Sequence, residues 1–326
     1  MNSSKYIFVV LTLLTMVSEV KATDWSDKER RISKSYKIDS RNRLNIENSY
    51  GQVKVINWNR NEIKVDIQIK VADATGTRAD EALNAVKIED AVTGRDISFI
   101  THISSGGSGG SWWSKIIHIG DGDRNLEINY TISMPEGNDL VIKNDYGEIV
   151  VGDRSGKFTA NVGYGSLKAG NLKSASNQLN ISYSHAAITA LQGGGLSVEY
   201  GGLTIGSAKD INLSLSYTGD ARIQSLAGKS SISIEYSRGF SAGLAAAINS
   251  LNLSAEYSSV ALRPAAGANF NFNASIEYGS FQTDRNQATI SKQHEENTSA
   301  SYVGYWGKKS DNTINISSEY GDVRIK

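Results

Sequence analysis

A short unit marked by tyrosine recurs along the chain and constrains its fold more than any other feature. "LVIKNDYGEIVVG" (140–152), "LSVEYGGLTIG" (196–206), "LNLSAEYSSVAL" (251–262) and "INISSEYGDVRI" (314–325) are variants of it. The register marks are Tyr50, Tyr146, Tyr164, Tyr183, Tyr200, Tyr217, Tyr236, Tyr257, Tyr278 and Tyr320. From Tyr146 to Tyr278 successive marks are 18, 19, 17, 17, 19, 21 and 21 residues apart by subtraction. A period of that size belongs to a solenoid coil, not to separate domains. The last step, Tyr278 to Tyr320, is 42 residues, about two coils, and "SASYVGYWG" (299–307) reads as the degenerate intermediate copy.

Within a copy the apolar residues alternate. Leu196, Val198 and Tyr200 are interleaved with Ser197 and Glu199, and Leu251, Leu253, Ala255 and Tyr257 follow the same rule. Such alternation predicts a strand with one buried face. After the Tyr the parity breaks: the next apolar pairs fall at +3 and +5, as in Val53/Val55, Ile149/Val151, Leu203/Ile205 and Val323/Ile325. A parity break implies a corner, and Gly follows the Tyr in six of the ten copies, where its conformational freedom would serve the bend. Each coil is therefore strand, corner, strand and polar return loop. Its few inward side chains cannot offset the ordering of a whole coil, so coils must stack and share a core. The predicted fold is all-β, a right-handed parallel β-helix or β-solenoid of about 17–21-residue coils.

By parity the tyrosines share the apolar face, which predicts inward rings stacked as a ladder from Tyr146 through Tyr164, Tyr183, Tyr200, Tyr217, Tyr236, Tyr257 and Tyr278 to Tyr320. An aromatic strip for sugars is the functional alternative. Position −2 carries Asn48, Asn144 and Ser318 in three copies, against Ile181, Val198, Leu215 and Ile234 in the middle, which implies a differently bent core at the ends. Glu199, Glu235, Glu256, Glu277 and Glu319 each precede a Tyr and face outward as a solvated row. The charges of "EYGDVRIK" (319–326) are expected to guard an open solenoid end.

The remainder divides simply. Residues 1–22 read as a signal peptide: Lys5, the apolar core "YIFVVLTLLTMV" (6–17), and a cleavage point after Ala22. Residues 23–135 hold the first copy and a β-rich cap or insertion, with strands at 62–72, 96–103 and 126–135 and one short helix at 77–86; residues 136–326 are solenoid. Lys+Arg and Asp+Glu are balanced at 34 each, so no net charge points to nucleic acid. No later segment suits a helical membrane span. The absence of cysteine removes thiol catalysis and suits a bacterial envelope protein held by packing.

The series "LNIENSYGQVKVINW" (44–58), "IKVDIQIKV" (63–71), a short helix, "MPEGNDLVIKNDYGEIVV" (134–151) and serial "EYG" coils resembles the DUF4097 family. That resemblance implies an exported bacterial β-solenoid of a family labelled "putative adhesin". It transfers no catalytic residue.

No catalytic motif, cofactor or metal is expected. Asp121 and Asp123 in "DGDRNLE" (121–127) are the candidates for calcium. Trp112 and Trp113, after a Gly/Ser run, and Tyr305 and Trp306 in "YVGYWG" (302–307) are the candidate contact residues, with packing as the alternative. The leading reading is a non-enzymatic envelope protein of a Gram-negative bacterium: periplasmic, on the outer surface or secreted. It would act as an adhesin or scaffold whose partner is an envelope protein or a glycan. A carbohydrate-active β-helix enzyme and a periplasmic accessory protein of an envelope-stress system are the alternatives.

Overall fold

The structure, a computed structural model, describes residues 28–72, 76–104 and 126–326. The signal segment, Trp112, Trp113, Asp121 and Asp123 lie outside the described residues.

The alternating segments become strands that pair in parallel with their counterparts one repeat away. Asp139–Asp145 lies beside Phe158–Gly163, which lies beside Gln178–Ser182. After the corner, Glu148–Val151 lies beside Ser166–Leu172, which lies beside the start of His185–Glu199. From there a single long strand, such as His185–Glu199 or Gly202–Ser216, runs through the return and into the next coil.

The pairing keeps each inward position in line. Phe99, Ile46, Ile142, Ala160, Leu179, Leu196, Leu213, Ile232, Leu253, Ile316 and Ala274 succeed one another strand by strand. All are buried. A second column after the corner runs Leu167, Ala186, Leu203, Ala221, Phe240 and Val260. Large and small side chains are mixed along it, and neighbouring layers share one core.

Both ends depart from this order. At one end, Asp96–Ile103 and Leu126–Met134 pair in parallel with Arg43–Ser49 and Val53–Asn57, building an outermost coil. Glu62–Val71 then runs antiparallel to Leu126–Met134 and to Lys28–Lys37, while Val86–Thr93 runs antiparallel to Asp96–Ile103. The helix Gly76–Ala85 buries Ala79 and Ala82 here.

At the other end the chain order and the spatial order differ. Thr313–Glu319 lies between Gly239–Glu256 and Phe270–Glu277, parallel to both. Val323–Ile325 lies between Val260–Pro264 and Phe281–Thr283. "EYGDVRIK" is therefore enclosed by neighbours on both sides, and the expectation that it guards an open end is corrected. The physical cause is plain in its burial: Ile314, Ile316, Val323 and Ile325 are core residues. The intermediate copy expected at 299–307 is likewise not a coil. Ser299–Trp306 pairs antiparallel with both Phe270–Glu277 and Ala288–Glu295, forming a hairpin that closes this end.

Candidate functional site

The corner shared by every coil is the most regular feature of the surface. Its backbone stays bonded through the bend. Every Tyr N–H except that of Tyr278 donates to the carbonyl of the residue before the Tyr in the adjacent coil, as in Tyr146 to Gly163 (2.8 Å), Tyr183 to Glu199 (2.9 Å) and Tyr257 to Glu319 (2.9 Å); Tyr278 N donates to the Thr298 carbonyl (2.7 Å). The bend itself is made by the tyrosine. All ten marks adopt positive φ, from 47° at Tyr257 to 62° at Tyr50, a conformation that costs an L-residue about 1–2 kcal/mol.

This corrects the inward reading of the rings. A left-handed residue leaves the alternation of its strand, so the side chain swings out of the core instead of into it. Tyr200 is 42% exposed and Tyr164 51% exposed. The following Gly has another role than the one expected of it. None of the glycines after a ladder Tyr has positive φ. Instead a Cβ at Gly165 would overlap the Gly147 carbonyl, and one at Gly147 the Gly51 carbonyl. Where Ser takes this place, its hydroxyl reaches the coil below: Ser184 Oγ accepts from Gly165 N (2.8 Å), and Ser258 Oγ accepts from Ser237 N (2.9 Å).

The rings form one column in the order Tyr50, Tyr146, Tyr164, Tyr183, Tyr200, Tyr217, Tyr236, Tyr257, Tyr320, Tyr278. Centroids are 4.6 Å apart at the closest step and 5.2 Å at the widest, with planes within 13° of parallel. The steps are set by the strand spacing. Each interior ring has a neighbour on both faces, so the column offers solvent its edges and hydroxyls. A sugar ring, which stacks on an aromatic face, finds no free face between Tyr146 and Tyr320.

A row of carboxylates accompanies the column. Glu199, Ser216, Glu235, Glu256, Glu319 and Glu277 face one another on successive strands. Four glutamates thus stand on four neighbouring strands. Their charge is felt by the phenols. Glu256 is the first cause holding the Tyr236 phenol above its ordinary pKa; burial, then the neighbouring rings, do so at Tyr320. Among the described residues no group of three or more His, Asp or Glu side chains is placed to hold a metal.

The distinctive −2 residues have a local purpose. Asn48 Nδ2 donates to the Ile128 carbonyl (2.9 Å) and to Asn144 Oδ1 (3.1 Å), and Asn144 Nδ2 donates to the Gly51 carbonyl (2.9 Å). These buried amides satisfy carbonyls at the corner where the inserted cap interrupts the chain. Ser318 donates to the Gly321 carbonyl (3.1 Å) on the strand next to the last coil.

The structure separates the aromatic candidates. Trp306 is 6% exposed and lies parallel to Phe270, so it is core and not a contact residue. Tyr305, the adjacent residue on the opposite strand face, is half-buried beneath Lys309. The sequence signal for the corner was the parity break, since apolar positions at +3 and +5 require one residue there to leave the strand geometry; parity did not show that this residue is the Tyr with its ring outward.

No protein-family model matches the chain, and neither does any curated protein. Among solved structures it is similar to a putative adhesin from Parabacteroides merdae ATCC 43184, at 11% identity, with 91% of this chain and 96% of that chain covered and a TM-score of 0.38. It is also similar to a putative cell adhesion protein from Clostridium sporogenes ATCC 15579, at 13% identity, 92% and 99% coverage and a TM-score of 0.25. A putative lipid binding protein from Parabacteroides distasonis ATCC 8503 is similar at 9% identity, 91% and 96% coverage and a TM-score of 0.33.

Proposed function

We propose that the chain is a non-enzymatic protein exported to the cell envelope, where its solenoid serves as an adhesin-like interaction scaffold. We further propose that it belongs to the DUF4097 family, on the residues quoted for that resemblance. The observation that carries the functional reading is the register of the outward side chains. The tyrosine column has nine steps of roughly 4.8 Å, giving an exposed edge about 43 Å long. Over four neighbouring strands Glu235, Glu256, Glu319 and Glu277 run beside it at the same spacing. A partner laid along the solenoid meets the same group repeatedly, which suits extended, multivalent attachment. The apolar segment at 6–17 supports export.

The test uses immobilised protein comprising residues 23–326. Saturable retention of isolated envelope fractions, with no reducing ends or unsaturated products released from a polysaccharide panel, is the expected result. Cleavage of any polysaccharide would move the reading to an enzyme, and failure to retain envelope material would remove the scaffold role.

A further inference from the structure

Beyond the corner, on the side away from the glutamate row, the solenoid surface carries a trough of about 420 Å³. Arg222 and Arg324 stand at its two ends, and between them the facing strands offer only Ser241 and Ala261. Arg222, Ser241, Ala261 and Arg324 are in register on four neighbouring strands. Three strand spacings therefore separate the arginines at their backbones, about 14 Å. Two residues before each arginine, on the same face, is an aspartate: Asp220 and Asp322.

The charges are available. Among the described residues neither Arg222 nor Arg324 has an ion-pair partner, and both are exposed. Asp322 is held in place, with Oδ1 accepting from Ser280 N (3.2 Å) and Ser280 Oγ (2.7 Å). The trough therefore presents donor and acceptor groups twice, in the same Asp-x-Arg order, over a floor of small side chains.

We propose that this trough binds a carboxylated polysaccharide, a uronate-containing glycan lying along the solenoid axis. The proposal rests on the scaffold reading above and names its partner class. Guanidinium groups pair with sugar carboxylates in fork geometry. The aspartates accept hydrogen bonds from ring hydroxyls, which an acidic peptide lacks at those places. They also disfavour a doubly charged phosphate, which would sit against two carboxylates. Ser241 and Ala261 leave room for a ring where a longer side chain would fill it. The two arginines come from distant parts of the sequence, 102 residues apart by subtraction, and only the enclosed final strand brings them to one trough.

The experiment measures binding of the residues 23–326 protein to polygalacturonate by calorimetry at low salt, with neutral dextran and polyglutamate as comparisons. Polygalacturonate is expected to bind and dextran not to. R222Q/R324Q is expected to weaken binding at least about tenfold, with the melting temperature unchanged because both residues are exposed. A261E, which sets a carboxylate between the arginines, is a second variant with the same expected loss. If polygalacturonate does not bind while envelope fractions are still retained, the trough proposal falls and the scaffold reading stands. If neither binds, both fall. Equal binding of polyglutamate, or undiminished binding by both variants, overturns the glycan assignment.

Discussion

The middle and the ends of the solenoid are built from the same repeat by different rules. From Asp139 to Leu262 each coil stacks on the one before it in the chain. At the ends it does not. Tyr50 stacks on Tyr146 across the cap, and Tyr320 is inserted between Tyr257 and Tyr278. The middle can grow coil by coil along the chain. The far end can be completed only when the last segment enters a gap left by earlier ones. The exchange changes which strand forms the edge: instead of a half-buried coil strand, the outermost strand here is the largely polar Ala288–Glu295. Here the final strands are internal, and the hairpin Ala288–Glu295 with Ser299–Trp306 covers the end instead.

Removing residues 313–326 should have the largest effect on this contrast. Ile314, Ile316, Val323 and Ile325 are all buried, so the loss is about 6–8 kcal/mol at roughly 2 kcal/mol each. Denaturant unfolding is expected to show the far end melting separately while the middle coils hold. A single unchanged transition would mean that the segment is not enclosed.

Corner glycines come next. Gly165→Ala sets a Cβ against the Gly147 carbonyl, and should cost about 1–3 kcal/mol. Gly137→Ala, whose Cβ would meet only Ser155 Oγ at 3.8 Å, should be near neutral. Equal costs would show that the tight approach between coils is not what selects glycine.

A smaller effect separates stacking from backbone strain. Tyr200→Ala loses two ring contacts, together about 1–3 kcal/mol, and keeps the left-handed backbone. Tyr200→Gly loses the same contacts but relieves the backbone, and is expected to be about 1 kcal/mol more stable than Tyr200→Ala. The reverse order would contradict the account of the corner.

How much of this was legible follows from where the apolar residues are. Alternation in segments such as "LSVEY" and "EIKVDIQIKV" gave their strands away, because half of each strand is core. Lys28–Lys37, Val86–Thr93 and Ala288–Glu295 are edge strands with little buried surface, so no apolar pattern marks them. The outward tyrosine was hidden because parity alone places its ring inward, and only its backbone conformation reverses that. The insertion of Tyr320 was hidden for a different reason: identical repeats carry no label of their stacking order. The arginine pair of the trough depends on that order and was invisible with it.

The mildest effect is on pH. The phenols of Tyr50, Tyr183, Tyr236 and Tyr320 lie above the ordinary value, through burial first at Tyr50, Tyr183 and Tyr320, and through Glu256 first at Tyr236. A phenol raised on folding contributes stability that is complete below pH 10 and is lost as pH rises through the folded value. Ultraviolet titration should therefore show late phenolate formation coupled to alkaline unfolding, and Glu256→Gln should bring Tyr236 down. Ordinary titration of all the phenols would show that the column does not hold together in solution.

Native-state hydrogen exchange tests the enclosure of the final strand most directly. In the full chain the Tyr257 and Val260 amides donate to the Glu319 and Asp322 carbonyls, and should exchange as slowly as those of Tyr183 and Tyr200. Deleting residues 313–326 should speed Tyr257 and Val260 while leaving Tyr183 slow. Fast exchange at Tyr257 and Val260 in the full chain would contradict the enclosed strand, and with it the trough that joins Arg222 to Arg324.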